Sequence, residues 1–268
     1  MENISYMKLT IAIPVYLSVP LHQDFTQQTL DSIVSQKHEL KIIIINNFCQ
    51  PNFKNYLQNL NQKTNIKVIN NPQGNSVSAA WNLGLKLGKK NKSEYILTIN
   101  NDLLFHSQAI DNLVKFARTH SEFILWTATE WPDLRTIKKA TWDNSFSEHP
   151  HFSCFMVSPK ITNIVGYFDE NLQGAYFEDN DYHLRILLSG NKAAATTTAK
   201  FYHYGSRTAN VDEELKIKTK RNYEYNRAYL KKKWQVDFGK QTFSPPEKIL
   251  KVTYHHPFND PAKTWRDT

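Results

Sequence analysis

Lys41-Ile-Ile-Ile-Ile45, followed at once by Asn46-Asn47, sets the architecture of this chain. An unbroken β-branched run suits a strand covered on both faces, as in the interior of a parallel sheet. The two asparagines predict that the strand ends there. Working outward, Leu9 to Tyr16 (LTIAIPVY) is a second apolar run, passing through Pro14 into a loop. Ile66 to Ile69 is a third, closed by Asn70-Asn71-Pro72, and Tyr95 to Ile99 is a fourth, stopping at Asn100-Asn101-Asp102. Between them, Phe25 to Gln36, Asn52 to Leu60 and Val77 to Leu87 carry apolar residues at helical spacing. Strand and helix therefore alternate, which predicts an α/β domain with a doubly wound, mostly parallel sheet and helices on both faces. Ligands of such sheets bind outside the carboxyl ends of the strands, where the polar clusters fall. Strands also end in turns, which asparagine favours for its own reasons.

The second half is less regular. Ile110 to Ala117 reads as a helix, Phe123 to Thr129 as a strand, and residues 130–150 as a loop rich in aromatics. Phe152 to Val157 is a further strand, Asp179 to Leu188 a helix, and Lys200 to His203 a strand end. Leu215 to Trp234 reads as a long basic helix with one break, and Pro245, Pro246, Pro257 and Pro261 mark the rest as a tail. The expected organisation is one domain over residues 1–234 and a tail over 235–268.

Hydrophobic residues make up 40% of the 268, enough for a large core and outside the disordered range. The formal net charge of +8 suggests an anionic partner such as nucleotide phosphate, membrane or nucleic acid. Much of the excess lies in Lys216, Lys218, Lys220, Arg221, Arg227 and Lys231 to Lys233, a run that also reads as a solvated face. Two cysteines, Cys49 and Cys154, exclude a disulfide framework or a paired-cysteine metal knuckle, and point to a reducing cytoplasm. Leu9 to Leu21 is apolar, but Pro14 and Pro20 interrupt it and Glu2 stands where a leader would carry positive charge. No apolar run reaches the roughly 18 residues of a membrane span, so a cytoplasmic protein, soluble or peripheral to the membrane, is expected.

No GxGxxG follows a strand, and the Gly84 to Lys89 segment has the wrong spacing for a phosphate-binding P-loop. A dinucleotide oxidoreductase and a P-loop hydrolase are thereby disfavoured. What remains is acidic. Asp102 closes a hydrophobic strand, Glu178-Asp179-Asn180-Asp181 opens a helix, and His203 ends a strand. Oxygen ligands with one imidazole suit Mn2+ or Mg2+ better than structural zinc. Each residue also has a bland use, because Asp102 would cap a helix and the 178–181 acids would offset a helix dipole.

Order and spacing add a resemblance. Thr10 to Tyr16, with Pro14, Val15 and Tyr16 at its end, resembles the opening strand of the inverting glycosyltransferases of family 2, which have the GT-A fold. Asn70-Asn-Pro-Gln-Gly-Asn75, leading into Ala79-Ala-Trp-Asn82-Leu-Gly84, is similar to the family's N-x-G then A-x-N-x-G segment. Ile99-Asn-Asn101-Asp102 resembles its DxD region in the form seen among rhamnosyltransferase-like members. Val165-Gly-Tyr-Phe-Asp-Glu170, then Tyr176-Phe-Glu-Asp-Asn-Asp181 and Leu184-Arg185, resembles its G-x-F-D-E and E-D-x-D motif. Arg221-Asn222 and Lys233-Trp234 resemble its terminal helix, so the likeness runs from about Lys8 to Trp234.

The resemblance implies a UDP- or dTDP-linked sugar donor, a glycan or glycoconjugate acceptor and a metal-dependent inverting transfer. Asp179 would be the base, with Glu178 or Asp181 orienting it, and Asp102 and His203 would hold the metal. Pro14, Val15, Tyr16, Asn46, Asn47, Asn75, Asn82, Asn101, Asp102 and Arg207 would contact the donor. Trp131, Trp142 and His151 lie where acceptors dock, though indoles there also serve as core or lid. The sequence departs from the family pattern at Asn46-Asn47, where Asp-Asp or Asp-Asn is usual, and at Asn100, where an acid is usual, so weaker base contact or an altered nucleotide preference, and modest metal affinity, are expected. Competing readings are transfer to modified nucleic-acid bases, an inactive nucleotide-sugar binder, and a nucleotidyltransferase.

Overall fold

The computed structural model describes residues 7–33, 38–74, 76–141, 143–205 and 211–234. Asn75, Trp142, Arg207 and the 235–268 tail lie outside the described residues. The strands are β1 (Lys8–Leu17), β2 (Glu39–Cys49), β3 (Ile66–Asn70), β4 (Tyr95–Ile99), β5 (Leu103–Phe105), β6 (Leu125–Glu130), β7 (Phe146–Ser147), β8 (Cys154–Val157) and β9 (Ala193–His203). The helices are α1 (Pro20–Ser32), α2 (Lys54–Asn61), α3 (Val77–Lys90), α4 (Ala109–Thr119), α5 (Ile161–Ile164), α6 (Glu178–Leu188) and α7 (Glu213–Trp234).

The strands form one sheet in the order β3-β2-β1-β4-β8-β6-β9-β5, with β7 paired to β9. β1, β2, β3 and β4 are mutually parallel. β8 is antiparallel to both β4 and β6, and β9 is parallel to β6. β6 and β9 therefore point the same way as β1 to β4, and the carboxyl ends of all six meet along one edge.

Alternate residues of the central strands feed two cores. Ile11, Ile13, Ile42 and Ile44 face a cluster with Leu30, Leu57, Leu60 and Leu113, the layer of α1, α2 and α4. Ala12, Ile43 and Ile45 face Ala80 of α3. Trp81, Leu85, Phe155, Phe168, Tyr182 and Ile186 pack α3 and α6 on that same side. Helices thus cover both faces, as the isoleucine run required. α3 lies close on the sheet because Gly84 and Gly88 face it. A Cβ on Gly84 would stand 2.6 Å from Ala12 Cβ, and one on Gly88 2.4 Å from Ile96 Cγ1. Ser76 caps this helix, its hydroxyl accepting from the Ala79 amide at 3.2 Å.

Several boundaries differ from expectation. α1 starts at Pro20 rather than Phe25, because proline suits the first helical position, whose N–H has no partner within the helix. β2 runs through Asn46-Asn47 to Cys49 instead of stopping. The register with β1 jumps there, Val15 pairing with Asn46 and Tyr16 with Phe48, so Asn47 is the extra residue of a bulge. β9 begins at Ala193, and β5, β7 and α5 are elements the periodicity does not reveal. α7 is one unbroken helix. Leu9 to Leu21 forms a central strand and the first turn of α1. Among the described residues no helix is long and apolar enough to cross a membrane.

Candidate active site at the carboxyl edge of the sheet

Asp102 and His203 come together through a strand pair that neither local sequence announces. β5 turns back against the end of β9, with Leu103 opposite His203 and Phe105 opposite Phe201. That register sets Asp102 Oδ1 3.2 Å from His203 Nε2. Asp102 is 4% exposed and its carbonyl accepts from the Tyr204 amide at 3.0 Å. Burial alone would disfavour a charged His203. The hydrogen bond to Asp102 and the charges of Asp102 and Glu130 outweigh it and raise the imidazole above its ordinary value. The other ring nitrogen, Nδ1, lies 4.0 Å from Glu130 Oε2 and 3.4 Å from Ser153 Oγ. Glu130 is a residue sequence reasoning missed. Its signal was the same as that of Asp102, an acid at the end of an apolar strand. The first asparagine of the cluster is anchored too: the Asn100 amide donates to the Ser153 carbonyl at 2.9 Å.

Two of the amides expected on the donor side, Asn46 and Asn47, each pair with an amide at the end of β3. Asn46 Nδ2 donates to Asn70 Oδ1 at 2.9 Å, and Asn71 Nδ2 to Asn47 Oδ1 at 2.7 Å. Asn46 Oδ1 is buried without a hydrogen-bond partner among the described residues. An open cleft of about 480 Å³ lies beside it, between α2 and the ends of β2 and β3, lined by Lys54, Gln58 and Asn70 among others. Tyr16 follows Pro14 and the buried Val15, and stacks on Phe48 with centroids 4.7 Å apart. Burial, then the charges of Asp212 and Glu214, raise its phenol above the ordinary value. Asn101 is tied down, donating to Thr26 Oγ1 at 2.9 Å. Asn82 is buried: it donates to Phe168 O and Glu170 Oε1 and accepts from the Phe168 amide at 2.7 Å. Its amide fastens the loop of the G-x-F-D-E segment.

The acidic motif divides into two kinds of residue. Asp181, expected to orient the base, is 0% exposed and spent on structure. It accepts from Arg185 Nε at 3.0 Å, Lys233 Nζ at 2.6 Å and Trp234 Nε1 at 2.9 Å. Burial would raise its carboxyl, but Lys233 and Arg185 together hold it below the usual range. Lys233 also donates to Asp169 Oδ2 at 2.8 Å, so one ammonium joins the Asp169 loop, α6 and α7. Arg185 donates from Nη1 to the carbonyls of Val165 and Tyr167 at 2.9 Å each.

Glu178 and Asp179 have no such cation among the described residues. Glu178 is buried, and burial followed by the charge of Asp179 pushes its carboxyl up to about 8. Asp179 is half-buried, and burial raises it, with the Asn180 amide at 2.8 Å opposing. The turn before them is strained. Tyr176 and Phe177 have φ of 82° and 73°, the left-handed region, where bulky residues are rare and cost about 1–3 kcal/mol each.

Of the acceptor candidates, Trp131 is half-buried, with Nε1 donating to Thr136 Oγ1 at 2.9 Å and Lys200 Nζ 4.3 Å from its ring centre. One indole face is therefore already covered by a cation. His151 is exposed, its backbone amide donating to Thr127 Oγ1 at 3.0 Å. Cys49 and Cys154 are unpaired.

The fold is shared with solved structures. GalNAc-T7 with UDP, GalNAc and Mn2+ superposes with a TM-score of 0.57 at 12% identity, over 76% of this chain and 44% of that one. The mannosyltransferase PcManGT from Pyrobaculum calidifontis, in complex with GDP-Man and Mn2+, gives 0.57 at 13%, over 74% and 57%. S. aureus TarS 1-349 in complex with UDP-GlcNAc gives 0.54 at 15%, over 73% and 58%. By sequence, a galactofuranosyl glycosyltransferase of Leishmania donovani is 27% identical over 164 residues, which is 57% of this chain and 37% of that relative. The chain thus spans well under two thirds of these relatives. The sequence profile of glycosyl transferase family 2 matches residues 10–164, more than half of the chain, and the chain belongs to that family.

Proposed function

We propose that this chain is a metal-dependent, inverting glycosyltransferase that moves a sugar from a nucleoside diphosphate donor, UDP- or dTDP-linked, to a hydroxyl of a glycan or glycoconjugate. The observation that carries the reading is the Asp102–His203 pair at the carboxyl edge, 3.2 Å apart. Metal–ligand bonds of about 2.0–2.1 Å place neighbouring ligands of an octahedron about 3 Å apart, so a carboxylate and an imidazole at this spacing fit one divalent ion. Asp102 and His203 would hold Mn2+ or Mg2+, whose chemistry is to neutralise charge on the departing diphosphate.

The remaining steps belong to the chain's own residues. Burial and the charge of Asp179 raise Glu178 to about 8, so it keeps its proton at neutral pH. Asp179 takes the proton of the acceptor hydroxyl as that oxygen bonds to the sugar's anomeric carbon and the bond to the diphosphate breaks. Asp181 has no part in this, being held by Lys233 and Arg185. The exchange of acids for Asn46 and Asn100 favours a second reading, a nucleotide-sugar binder without turnover.

Release of nucleoside diphosphate from UDP-N-acetylglucosamine, dTDP-rhamnose and GDP-mannose, with water as the slow acceptor, tests the proposal. One donor should be consumed with Mn2+ present, and Asp179→Asn should slow release by roughly 100-fold or more while nucleotide affinity is kept. Undiminished turnover in that variant would remove the base assignment. Release of pyrophosphate from a nucleoside triphosphate supplied with a sugar 1-phosphate, and no diphosphate from any donor, would mean nucleotidyl transfer, and affinity with no release the inactive binder.

A further inference from the structure

We infer that Asn226, on α7, is a positioning residue for the Glu178–Asp179 pair: it holds the turn before α6 in its left-handed conformation. The inference rests on the reading of Asp179 as the base. Tyr176 and Phe177 take positive φ in succession, and neither side chain can stabilise that backbone by a local hydrogen bond as asparagine would. The restraint comes from across the molecule. Asn226 is fully buried, and its Nδ2 donates to the carbonyls of Gln173, Ala175 and Tyr176 at 2.9, 3.1 and 3.0 Å. Its Oδ1 accepts from the Gln173 amide at 2.8 Å. One side-chain amide thus directs both its donor and its acceptor at one turn.

The neighbours on α7 serve the same turn. Asn222, one helical turn earlier, fills the space a side chain on Gly174 would need, a Cβ there lying 2.2 Å from Asn222 Nδ2. The Tyr223 ring packs on Phe177 and Tyr176, with centroids 4.9 and 5.6 Å away. From the far side, the Val77 amide at the start of α3 donates to the Gly174 carbonyl at 2.8 Å. α6 begins directly from this turn, Phe177 being its first carbonyl acceptor, from the Asp181 amide at 3.0 Å, with no side-chain cap. Glu178 and Asp179 are the next two residues. A local serine or aspartate cap would start the helix with ordinary dihedrals. Here the start is fixed by a distant amide and kept strained, so where Asp179 stands depends on α7.

Asn226→Ala and Asn226→Ser, each alone and combined with Tyr176→Gly, test this. The expected result for Asn226→Ala is a folded protein whose kcat for Mn2+-dependent release from the consumed donor falls roughly 10- to 100-fold, the scale of a misplacement near 1 Å. KM for the donor should move less than about twofold, because the Asp102 edge is untouched. Hydrogen exchange of the 173–181 amides should quicken. Tyr176→Gly, which tolerates positive φ without the clamp, should restore most of the lost kcat. Unchanged kcat, or unchanged exchange over 173–181, would overturn the proposal. So would failure of both Asn226 variants to fold with no recovery from Tyr176→Gly, which would make Asn226 a residue of the core alone. If the wild-type protein consumes none of the three donors, the transferase reading fails by itself and the exchange measurement still decides the clamp.

Discussion

Lys233→Met separates a buried electrostatic joint from ordinary packing. The Lys233 side chain is 4% exposed, and both its partners, Asp169 and Asp181, are 0% exposed. Methionine keeps most of the volume and removes the charge, leaving two buried carboxylates with one cation fewer. Taking one partner from a buried ion pair typically costs about 3–5 kcal/mol. Asp181 retains Arg185 and Trp234, and Asp169 retains Tyr229 and Asn171, so the lower end applies. About 3 kcal/mol lowers Tm by roughly 6–12 °C in a domain of this size. The pH dependence follows from the sign of the Asp181 shift. Its folded value is depressed, so the stability it contributes is present above the usual aspartate value of 3.8 and lost as pH falls through the lowered one. The gap between variant and wild type should therefore be widest near pH 7 and close toward pH 3. Thermal melts of both proteins across that range provide the assay. A shift under about 2 °C at pH 7, or one that stays constant down to pH 3, would refute the reasoning.

The other predictions concern α6 and α3. Glu178 has the opposite sign: its folded value is raised, so its contribution is fully present below 4.5 and lost as pH rises toward about 8. Glu178→Gln should equal wild type near pH 4.5 and be more stable than it by pH 8, the gap growing by up to about 1.4 kcal/mol per unit. A variant less stable than wild type at pH 8 in chemical denaturation would contradict the burial argument. Gly88→Ala drives a methyl into Ile96 and should lower stability by about 1–3 kcal/mol in the same assay, with no gain from the better helix former. An unchanged or raised midpoint would show that α3 has room to move off the sheet.

The parallel half of the fold was legible because its signals are local. The isoleucines from Ile42 to Ile45 demand cover on both faces, and Ala80 and Leu57 provide it. Asn46-Asn47 misled because a bulge lets a polar pair stay within the strand, and a bulge depends on the register of the partner strand. β5 is three residues long and exists only as a pair to β9, so no periodicity marks it, yet it delivers His203 to Asp102. In the acidic motif, residue types alone could not tell Asp181 from Asp179. The difference lies in Lys233 and Trp234, more than fifty positions away. α7 read as a basic, solvated helix because its buried stripe is itself polar, Asn222 and Asn226 followed by Leu230 and the ion-paired Lys233. Its exposed side fits that reading, with Lys216, Lys220, Arg221, Lys231 and Lys232 exposed.

The most direct test of a metal-assisted donor site is thermal unfolding of wild type and Asp102→Asn with UDP, dTDP, GDP and CDP, each with and without Mn2+. One nucleotide at about 100 times its Kd should stabilise the wild-type protein by roughly 2.7 kcal/mol. That stabilisation should require Mn2+ and should be lost in Asp102→Asn. No shift with any nucleotide, or an equal shift in the variant, would contradict the Asp102–His203 site.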